Sequence, residues 1–464
     1  MRASTAISSR ADAPVASGPG RRHRPAKPPR PGLADAFALV AGLGLGVTIA
    51  LVVQSESAGA LAAPGGALIA VGRFAGFVGA YLLLLMVVLV GRVPWLEGAV
   101  GQDRLVRWHR RIAPWALVLV TVHVVTITLG YAAAARVGAL HQLWTFVSSY
   151  PWMLGAIAGF LLLVMAGVVS VRAARRRMKY ETWWAVHLYT YLALALAFGH
   201  EIATGAPFIG HPLTRAYWIA AWLATAGLVL ACRVLLPIAR SVRHRLRVVS
   251  VHEEAPGVYS LVCAGRDVDR LAVSGGQFFQ WRFLAKGLWW HAHPFSLSAL
   301  PHPPYLRVTV KAVGDQSREI SRLRPGTRVF IEGPYGTFTA HARTGPRVAL
   351  IGAGVGVTPL RALLEELPRS VDVSMVVRSS GSDDFVHGRE LEAMVAERGG
   401  RLRHLPGSRR RVRMDPTTLH TLVPDISERD VYICGPDGFS RDVRYAAGAL
   451  GVPRHRIHHE EFSF

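Results

Sequence analysis

Three cysteines in 464 residues leave little room for the roles cysteine fills. Cys232, Cys263 and Cys434 form no C-x-x-C pair, which argues against a structural zinc site or a four-thiolate iron–sulfur cluster. No C-x-x-C-H occurs either, so any haem would be held without thioether attachment. Residues 1–32 lack the apolar core of a signal peptide; rich in Pro, Ala and Arg, they read as a disordered basic cytoplasmic tail. Acidic residues are scarce, 30 Asp and Glu against 53 Lys and Arg, for a net charge of +23. That charge invites a nucleic-acid reading, but much of it sits in short clusters between apolar runs, where a membrane protein carries its cytoplasmic charge. No nucleic-acid role follows. Neither a calcium-binding loop nor a docking tail clearly marks a regulated assembly, although residues 24–32 are proline-rich, and protein partners stay unassigned.

Hydrophobic residues, by contrast, make up 51% of the chain, mean hydropathy is +0.28, and the apolar runs concentrate before residue 240. Runs long enough to cross a lipid bilayer, about 20 residues each, fall near 34–53, 66–90, 112–131, 151–171, 183–200 and 215–236, the fifth being the shortest. The tail and the second, fourth and sixth loops are arginine-rich, for example Arg104, Arg107, Arg110 and Arg111, while the loop at 54–65 has no Lys or Arg. The positive-inside rule then predicts a multi-pass plasma-membrane protein with both termini in the cytoplasm.

Histidines inside such spans are functional-site candidates. The third run carries His123, with His109 at the start of the stretch 107–131 that contains it, and the fifth carries His187 and His200. Both runs are read as pointing outward, so fourteen and thirteen residues place the second histidine roughly 21 and 20 Å deeper. His109 is thus matched in depth with His187, and His123 with His200. Two imidazoles at one depth are what a six-coordinate haem iron needs, and a helix-bundle core is a usual place for a cofactor. Fourteen residues return to within about 40° of one helix face, whereas thirteen leave about 140°, so the fifth helix needs a kink or bulge if His200 is a ligand. The bland alternative is core histidines bonded across helices. His141 and His211 fall in outer loops and read as solvated.

From residue 243 short alternating strands predict a small antiparallel barrel. Within it, Pro294 after His293 imposes an extended backbone that would hold a strand edge against a flat ligand. A parallel α/β sheet follows from about 347. There "RVALIGAGVGVTPLRALLEEL" runs from a strand through Gly352, Gly354 and Gly356 to a helix opening at Thr358 and Pro359. Such a turn lets phosphates approach backbone amides, although G-x-G-x-G is not the G-x-G-x-x-G fingerprint. Arg378 ends the next strand, where an arginine meets a 2′-phosphate or is only surface charge. A later strand ends in Cys434, Gly435 and Pro436.

With "HPFS", "GPYG", "GAGVGVTP" and "CGP" in this order after four intramembrane histidines, residues 34–464 resemble the NADPH oxidase and ferric reductase superfamily. The resemblance implies three folded parts: an all-α six-helix transmembrane di-haem domain (33–240), an antiparallel β-barrel FAD domain (243–342) and an α/β parallel-sheet NAD(P)H domain (343–464). It implies that His293, Pro294, Phe295 and Ser296 line the flavin ring. Lys311, Gly314 and Ser317 would contact phosphate, "GAGVGVTP" the nucleotide's pyrophosphate, and Arg378 would favour NADPH over NADH. Cys434 would sit near the nicotinamide, and Phe462, with Phe464 as the alternative, would cover the flavin until nicotinamide displaces it.

The same resemblance implies the reaction. NADPH reduces FAD, electrons pass singly to an inner b-type haem (His109/His187) and an outer one (His123/His200), and an external acceptor takes them. Molecular oxygen giving superoxide is the first acceptor; ferric iron or a ferric chelate is the alternative. One departure bears on this. Where the oxidases carry a further histidine one turn beyond the outer ligand, this chain has Ile127. Arg73 is retained near that depth, with a haem propionate, a reduced oxygen species or the outer surface as its partner. A reading from another class is a six-helix transporter with a nucleotide-sensing domain, its histidines a proton or metal path.

Overall fold

The computed structural model describes residues 31–178, 180–205, 208, 211–408 and 411–461. The predicted tail therefore lies outside the described residues except at its end, where the first helix, α1 (Pro31–Gln54), has begun. Two compact units follow, one made mainly of helices and one containing all the sheets, with the division at residues 236–237.

The helical unit holds α1, α2 (Gly66–Val90), α3 (Gln102–Ala135), the short helix α4 (Ala139–Ser149), α5 (Met153–Ser170), α6 (Tyr180–Thr204) and α7 (Pro212–Val229). Among the described residues five helices are long and apolar enough to cross a bilayer: Gly32–Gln54, Gly66–Val90, Arg104–Ala135, Met153–Ser170 and Pro212–His244. The predicted fifth span is present as the 25-residue α6 but falls outside that set. Its two histidines, three tyrosines, Glu181 and Glu201 lower its hydropathy. α7 continues through a π-helical segment (Leu230–Leu235) into α8 (Leu236–His244), where Leu236 N–H bonds Ala231 C=O. The wider turn falls just before Pro237, which has no N–H to give and whose ring would crowd an α-helical carbonyl.

Two helix pairs pack tightly, α2 with α3 and α5 with α6. The reason is glycine at four-residue spacing, which lets backbones approach. On α2, a Cβ at Gly72 would lie 2.6 Å from Ile127, and one at Gly76 would lie 2.5 Å from His123 Nδ1. On α5, a Cβ at Gly159 would lie 2.6 Å from the Ala193 carbonyl oxygen of α6, and one at Gly155 3.1 Å from that of Leu196. Each histidine-bearing helix thus has a glycine-faced helix at its back.

In the second unit the expected barrel takes the form of two three-stranded antiparallel sheets. β1 (Arg247–Ala255), β2 (Val258–Ala264) and β5 (Tyr305–Lys311) form one, in the order β1-β2-β5. The other has the order β4-β3-β6, from β3 (Phe278–Phe283), β4 (His293–Ser296) and β6 (Val329–Tyr335). Isolated bridges, Arg247 with Arg328 and Leu297 with Val308, join them in place of a continuous ladder. One core, including Leu261 and Val308 from the first sheet and Phe279 and Trp281 from the second, fills the space between.

The nucleotide lobe is a five-stranded parallel sheet, as expected, in the order β11-β10-β7-β8-β9. Its strands are β7 (Arg347–Ala353), β8 (Asp372–Ser379), β9 (Arg401–Pro406), β10 (Asp430–Gly435) and β11 (Ile457–Glu461). Helices α9 (Val357–Glu366), α10 (Gly388–Ala396) and α11 (Asp437–Ala449) accompany it, and separate apolar clusters cover its two faces.

A charged network ties the two lobes of this unit together. Arg361 on α9 bonds Glu365 and Glu390, while Glu390 also takes Arg307 of β5 at 2.9 Å. Buried His387 bonds Thr309 at 3.0 Å and approaches Glu254 of β1 at 3.4 Å. Burial opposes ionisation of Glu254, but its bond to His387 outweighs this and holds the carboxyl at about 2. Glu365 likewise lies at about 2, burial being outweighed by His302 and Arg361. Both carboxyls therefore ionise more readily folded than unfolded. Their contribution is intact above the ordinary value of 4.5 and is lost as pH falls toward 2. Thermal melts followed by flavin fluorescence should show lobe stability dropping between pH 5 and 3, with a flatter profile for Glu254→Gln.

Candidate functional site

The structure brings the four intramembrane histidines together in the predicted pairs. His109 and His187 have ring centroids 6.2 Å apart at an interplanar angle of 71°. Two metal–imidazole bonds of about 2 Å, plus a ring radius of roughly 1 Å at each end, need about 6 Å. His123 and His200 lie close enough for their charges to interact. α3 and α6 are not among the tightly packed helix pairs, so the rings occupy a space between them.

In each ring it is Nδ1 that is engaged. His109 Nδ1–H donates to the Met86 carbonyl at 3.2 Å, and His123 Nδ1–H to the Gly72 carbonyl at 2.8 Å. The Thr204 hydroxyl donates to the His200 carbonyl, which leaves its oxygen to accept from His200 Nδ1–H at 2.8 Å. His187 Nδ1 meets the Ser170 hydroxyl at 3.5 Å, and its ring stacks on Trp183. A metal-bound histidine is commonly held this way, one nitrogen fixed by a neighbour and Nε2 left for the metal. Among the described residues no group of three or more His, Cys, Asp or Glu could cage an ion. Two imidazoles per site suit a metal whose remaining ligands come from a macrocycle, and these residues fit haem.

The thirteen-residue spacing on α6 needs no kink. Side chains about 140° apart on a helix can both reach a neighbour that faces the direction between them. The unbroken α-helix Tyr180–Thr204 brings both rings toward α3. Pro114, between the two histidines of α3, removes one helical hydrogen bond there. His141 and His211 are exposed, as expected.

Arg73 finds a partner within the chain. Its Nη1 donates to Glu56 Oε1 at 3.0 Å. Ile127 packs on Gly72. Sequence reasoning missed Glu56, the glycines behind His123, and Glu201. This last carboxylate follows His200 directly and accepts both the Trp218 and Trp222 indole N–H, at 2.7 and 3.0 Å. The signals were there to be read: a G-x-x-x-G in each of two spans and an acidic residue inside an apolar run.

In the sheet-bearing unit, His293, Pro294, Phe295 and Ser296 form the edge strand β4, paired to β3 from Phe278 with Ser296 to Trp281 with His293. The His293 ring lies parallel to Phe295, 10° between planes. His293 Nε2 and Ser296 Oγ are buried without a hydrogen-bond partner among the described residues. Buried polar atoms seek partners, and a flat heteroaromatic ring with acceptors on its edge supplies them, so this strand fits the flavin. Burial, reinforced by His291, lowers the His293 pKa to about 4, so it meets a ligand as neutral imidazole. Lys311 ends β5, exposed. Gly314 begins a short turn whose first N–H donates to the Ser317 hydroxyl at 2.9 Å, so that hydroxyl already closes the turn.

Gly352, Gly354 and Gly356 lie where β7 turns into α9, Gly354 in the left-handed region at φ 55°. A Cβ at Gly356 would stand 2.4 Å from the Cys434 carbonyl oxygen, so only glycine lets the turn sit against the end of β10. Thr358 donates to the Val355 carbonyl at 2.9 Å, and Pro359 occupies the first helical turn. Cys434, Gly435 and Pro436 adjoin this turn, Cys434 pairing with Gly352. The Cys434 thiol is fully buried, and burial pushes its pKa well up, which makes it a neutral wall and no nucleophile. Arg378 stands at the end of β8 beside Ala353, its guanidinium 4.9 Å over the Phe439 ring. Phe462 and Phe464 lie outside the described residues.

Comparisons with known proteins agree with this order. Residues 75–198 match the family described as ferric reductase like transmembrane component. Residues 264–339 match an FAD-binding domain, and 350–445 an oxidoreductase NAD-binding domain. An NADPH oxidoreductase of Mycobacterium tuberculosis is 28% identical over 197 residues, covering 40% of this chain and 52% of that protein. A flavohemoprotein of Chromobacterium violaceum is 32% identical over 209 residues, covering 39% of this chain and 50% of its own length. The chain thus spans about half the length of the curated relatives it matches. Among solved structures, the FAD/NAD-binding domain of a nitric oxide dioxygenase from Vibrio cholerae is 26% identical with a TM-score of 0.42, covering 47% of this chain and 99% of that one. A ferric-reductase-like transmembrane domain followed by FAD-binding and NAD-binding domains is the architecture of the NADPH oxidase and ferric reductase superfamily, and this chain carries it.

Proposed function

We propose that the protein is a six-span plasma-membrane oxidoreductase, both termini cytoplasmic, that moves electrons from cytoplasmic NADPH to an external one-electron acceptor. The observation that carries this is the pair of imidazole pairs, each ring fixed at Nδ1 and set between two helices. When bound, FAD turns the two-electron hydride of NADPH into single electrons that two b-type haems can hand across the bilayer. His109 and His187 would hold the inner haem, His123 and His200 the outer. The glycine turn and the end of β10 would seat the nucleotide, and β4 would seat the flavin with His293 neutral. Both imidazole ligands at each site would leave no open iron position, so the acceptor would meet the edge of the outer group.

Oxygen, giving superoxide, is the first reading of the acceptor. The second, a ferric chelate, is favoured by a specific observation: Arg73 is neutralised by Glu56, and the apolar Ile127 is taken up in packing on Gly72. The test uses purified full-length protein supplied with haem and FAD. NADPH oxidation is followed aerobically with a dismutase-sensitive superoxide probe, then anaerobically with a ferric chelate. Dismutase-sensitive reduction establishes the oxidase; a comparable anaerobic ferric rate with little superoxide establishes the reductase. Neither, with no split haem spectrum, would sink the proposal in favour of the transporter.

Arg378 is assigned to the 2′-phosphate. Hydrogen bonds to a charged group contribute about 1.5–3 kcal/mol, so Arg378→Ser should raise the KM for NADPH roughly 10- to 100-fold while that for NADH changes little. Equal effects on both would remove the assignment.

A further inference from the structure

The exposed side of β3, β6 and β1 carries a pattern that neither flavin nor nucleotide binding uses. Arg247 bridges Arg328, and the Arg328 carbonyl accepts from Leu284 N–H at 2.9 Å, so these three stand in one row across the strands. Paired residues share a side, and so do residues two apart on one strand. Arg282 therefore joins the same side, and all four are exposed. The loop leaving Leu284 adds exposed Lys286 and a stacked pair, Trp289 and Trp290, 47% and 64% exposed with centroids 3.7 Å apart. Two carboxylates stand near this face: Glu319 beside Gly287 in that loop, and the half-buried Glu332, which pairs with Gln280 on the same side and accepts from the Tyr335 hydroxyl at 2.9 Å. Arg247 follows by three residues the end of the apolar helix Pro212–His244, so this face begins where the chain leaves the last span.

We infer that this face is a docking surface for anionic phospholipid, in the leaflet from which the last span emerges. Tryptophan sits well at the headgroup level, where its apolar ring and N–H are both accommodated. Arginine and lysine beside it are drawn to negative headgroups within a Debye length. A soluble lobe gains nothing from two stacked indoles and Leu284 in water. On a membrane surface they are buried at the interface, and the cationic row above them matches the lipid charge. The inference rests on the membrane-spanning reading of the last helix.

The test uses full-length protein in nanodiscs of phosphatidylcholine with or without phosphatidylglycerol. An environment-sensitive NBD label is placed by Trp290→Cys in a Cys232→Ala background, Cys263 and Cys434 being fully buried. The native chain labelled at Cys232, in the last span, reports the membrane reading separately, and Tyr445→Cys, a position 74% exposed on α11, reports water. In phosphatidylglycerol discs the label at 290 should shift to the blue and be quenched by headgroup-nitroxide lipid at least twofold more than in phosphatidylcholine discs. Arg282→Glu with Lys286→Glu should abolish the difference, as should high salt. A label at 290 as wet as that at 445, while Cys232 is quenched, overturns the inference and leaves the span standing. A blue shift without lipid quenching means a protein surface covers the face and also overturns it. No quenching at Cys232 overturns the membrane reading itself. Should Trp290→Cys fail to bind FAD, Leu284→Cys carries the same label on the same face.

Discussion

On the proposed two-haem relay the His187→Ala protein is expected to purify with one haem per chain in place of two, and to reduce an external acceptor at roughly one-hundredth of the wild-type rate or less, because His109 alone would not hold the inner haem. Oxidation of NADPH by the flavin, read with a soluble dye on the nucleotide side, should be unchanged. The geometry explains why the loss should be selective. His187 approaches only His109, with ring centroids 6.2 Å apart, and its other neighbours are Trp183 and Ser170. His123 and His200 are fixed by separate partners, Gly72 and Thr204. His109→Ala should reproduce the result, while His141→Ala, at an exposed position on α4, should do nothing. Two haems retained in the His187→Ala protein, by pyridine haemochrome assay, would show that the pairing is wrong.

How much of this site could be read from the sequence depends on which physical rule governed each part. Depth along a helix follows from counting residues at a fixed rise, so the pairing of His109 with His187 and His123 with His200 was legible. Angular phase was not. A 140° offset seemed to demand a kink because it was judged against a single face, whereas α6 meets its neighbour along a direction between the two side chains. Partners of buried charge were equally hidden: nothing in the local sequence tells Arg73 that Glu56, seventeen residues earlier, will reach it. In the sheet-bearing unit the alternation of β1 to β6 gave strands but not their closure, since isolated bridges at Arg247 and Leu297 depend on tertiary packing. That β7 to β11 form a parallel sheet was accessible because strands alternate with helices there, whereas their order was not read. The hydropathy of α6 was the weak point throughout, as the ligand role proposed for its histidines would require. Residues that hold a cofactor in a membrane are those that make a span look least like one.

The glycines behind the outer histidine offer the sharper test. Replacing a helix glycine by alanine ordinarily favours the helix by about 1 kcal/mol, so propensity alone predicts that Gly76→Ala is benign or stabilising. The structure predicts the reverse. The new methyl would lie 2.5 Å from His123 Nδ1 and 3.0 Å from two ring carbons, on the side where the ring bonds the Gly72 carbonyl. Either the ring swings away and gives up that bond, or α2 withdraws from α3; overpacking of this kind costs about 1–3 kcal/mol. Disturbing the group that orients a metal-bound histidine weakens metal affinity about 10- to 100-fold. Haem titration of the apoprotein should therefore show the inner site filling normally and the outer site weakened by that factor, with external acceptor reduction falling alongside it. Gly46→Ala on α1, where an added Cβ meets nothing within 4 Å, should leave both sites intact. The comparison separates steric control of the histidine from any general effect of glycine in a span. If Gly76→Ala bound both haems as wild type does, the ring's position would have to be set by the iron and not by the close approach of α2.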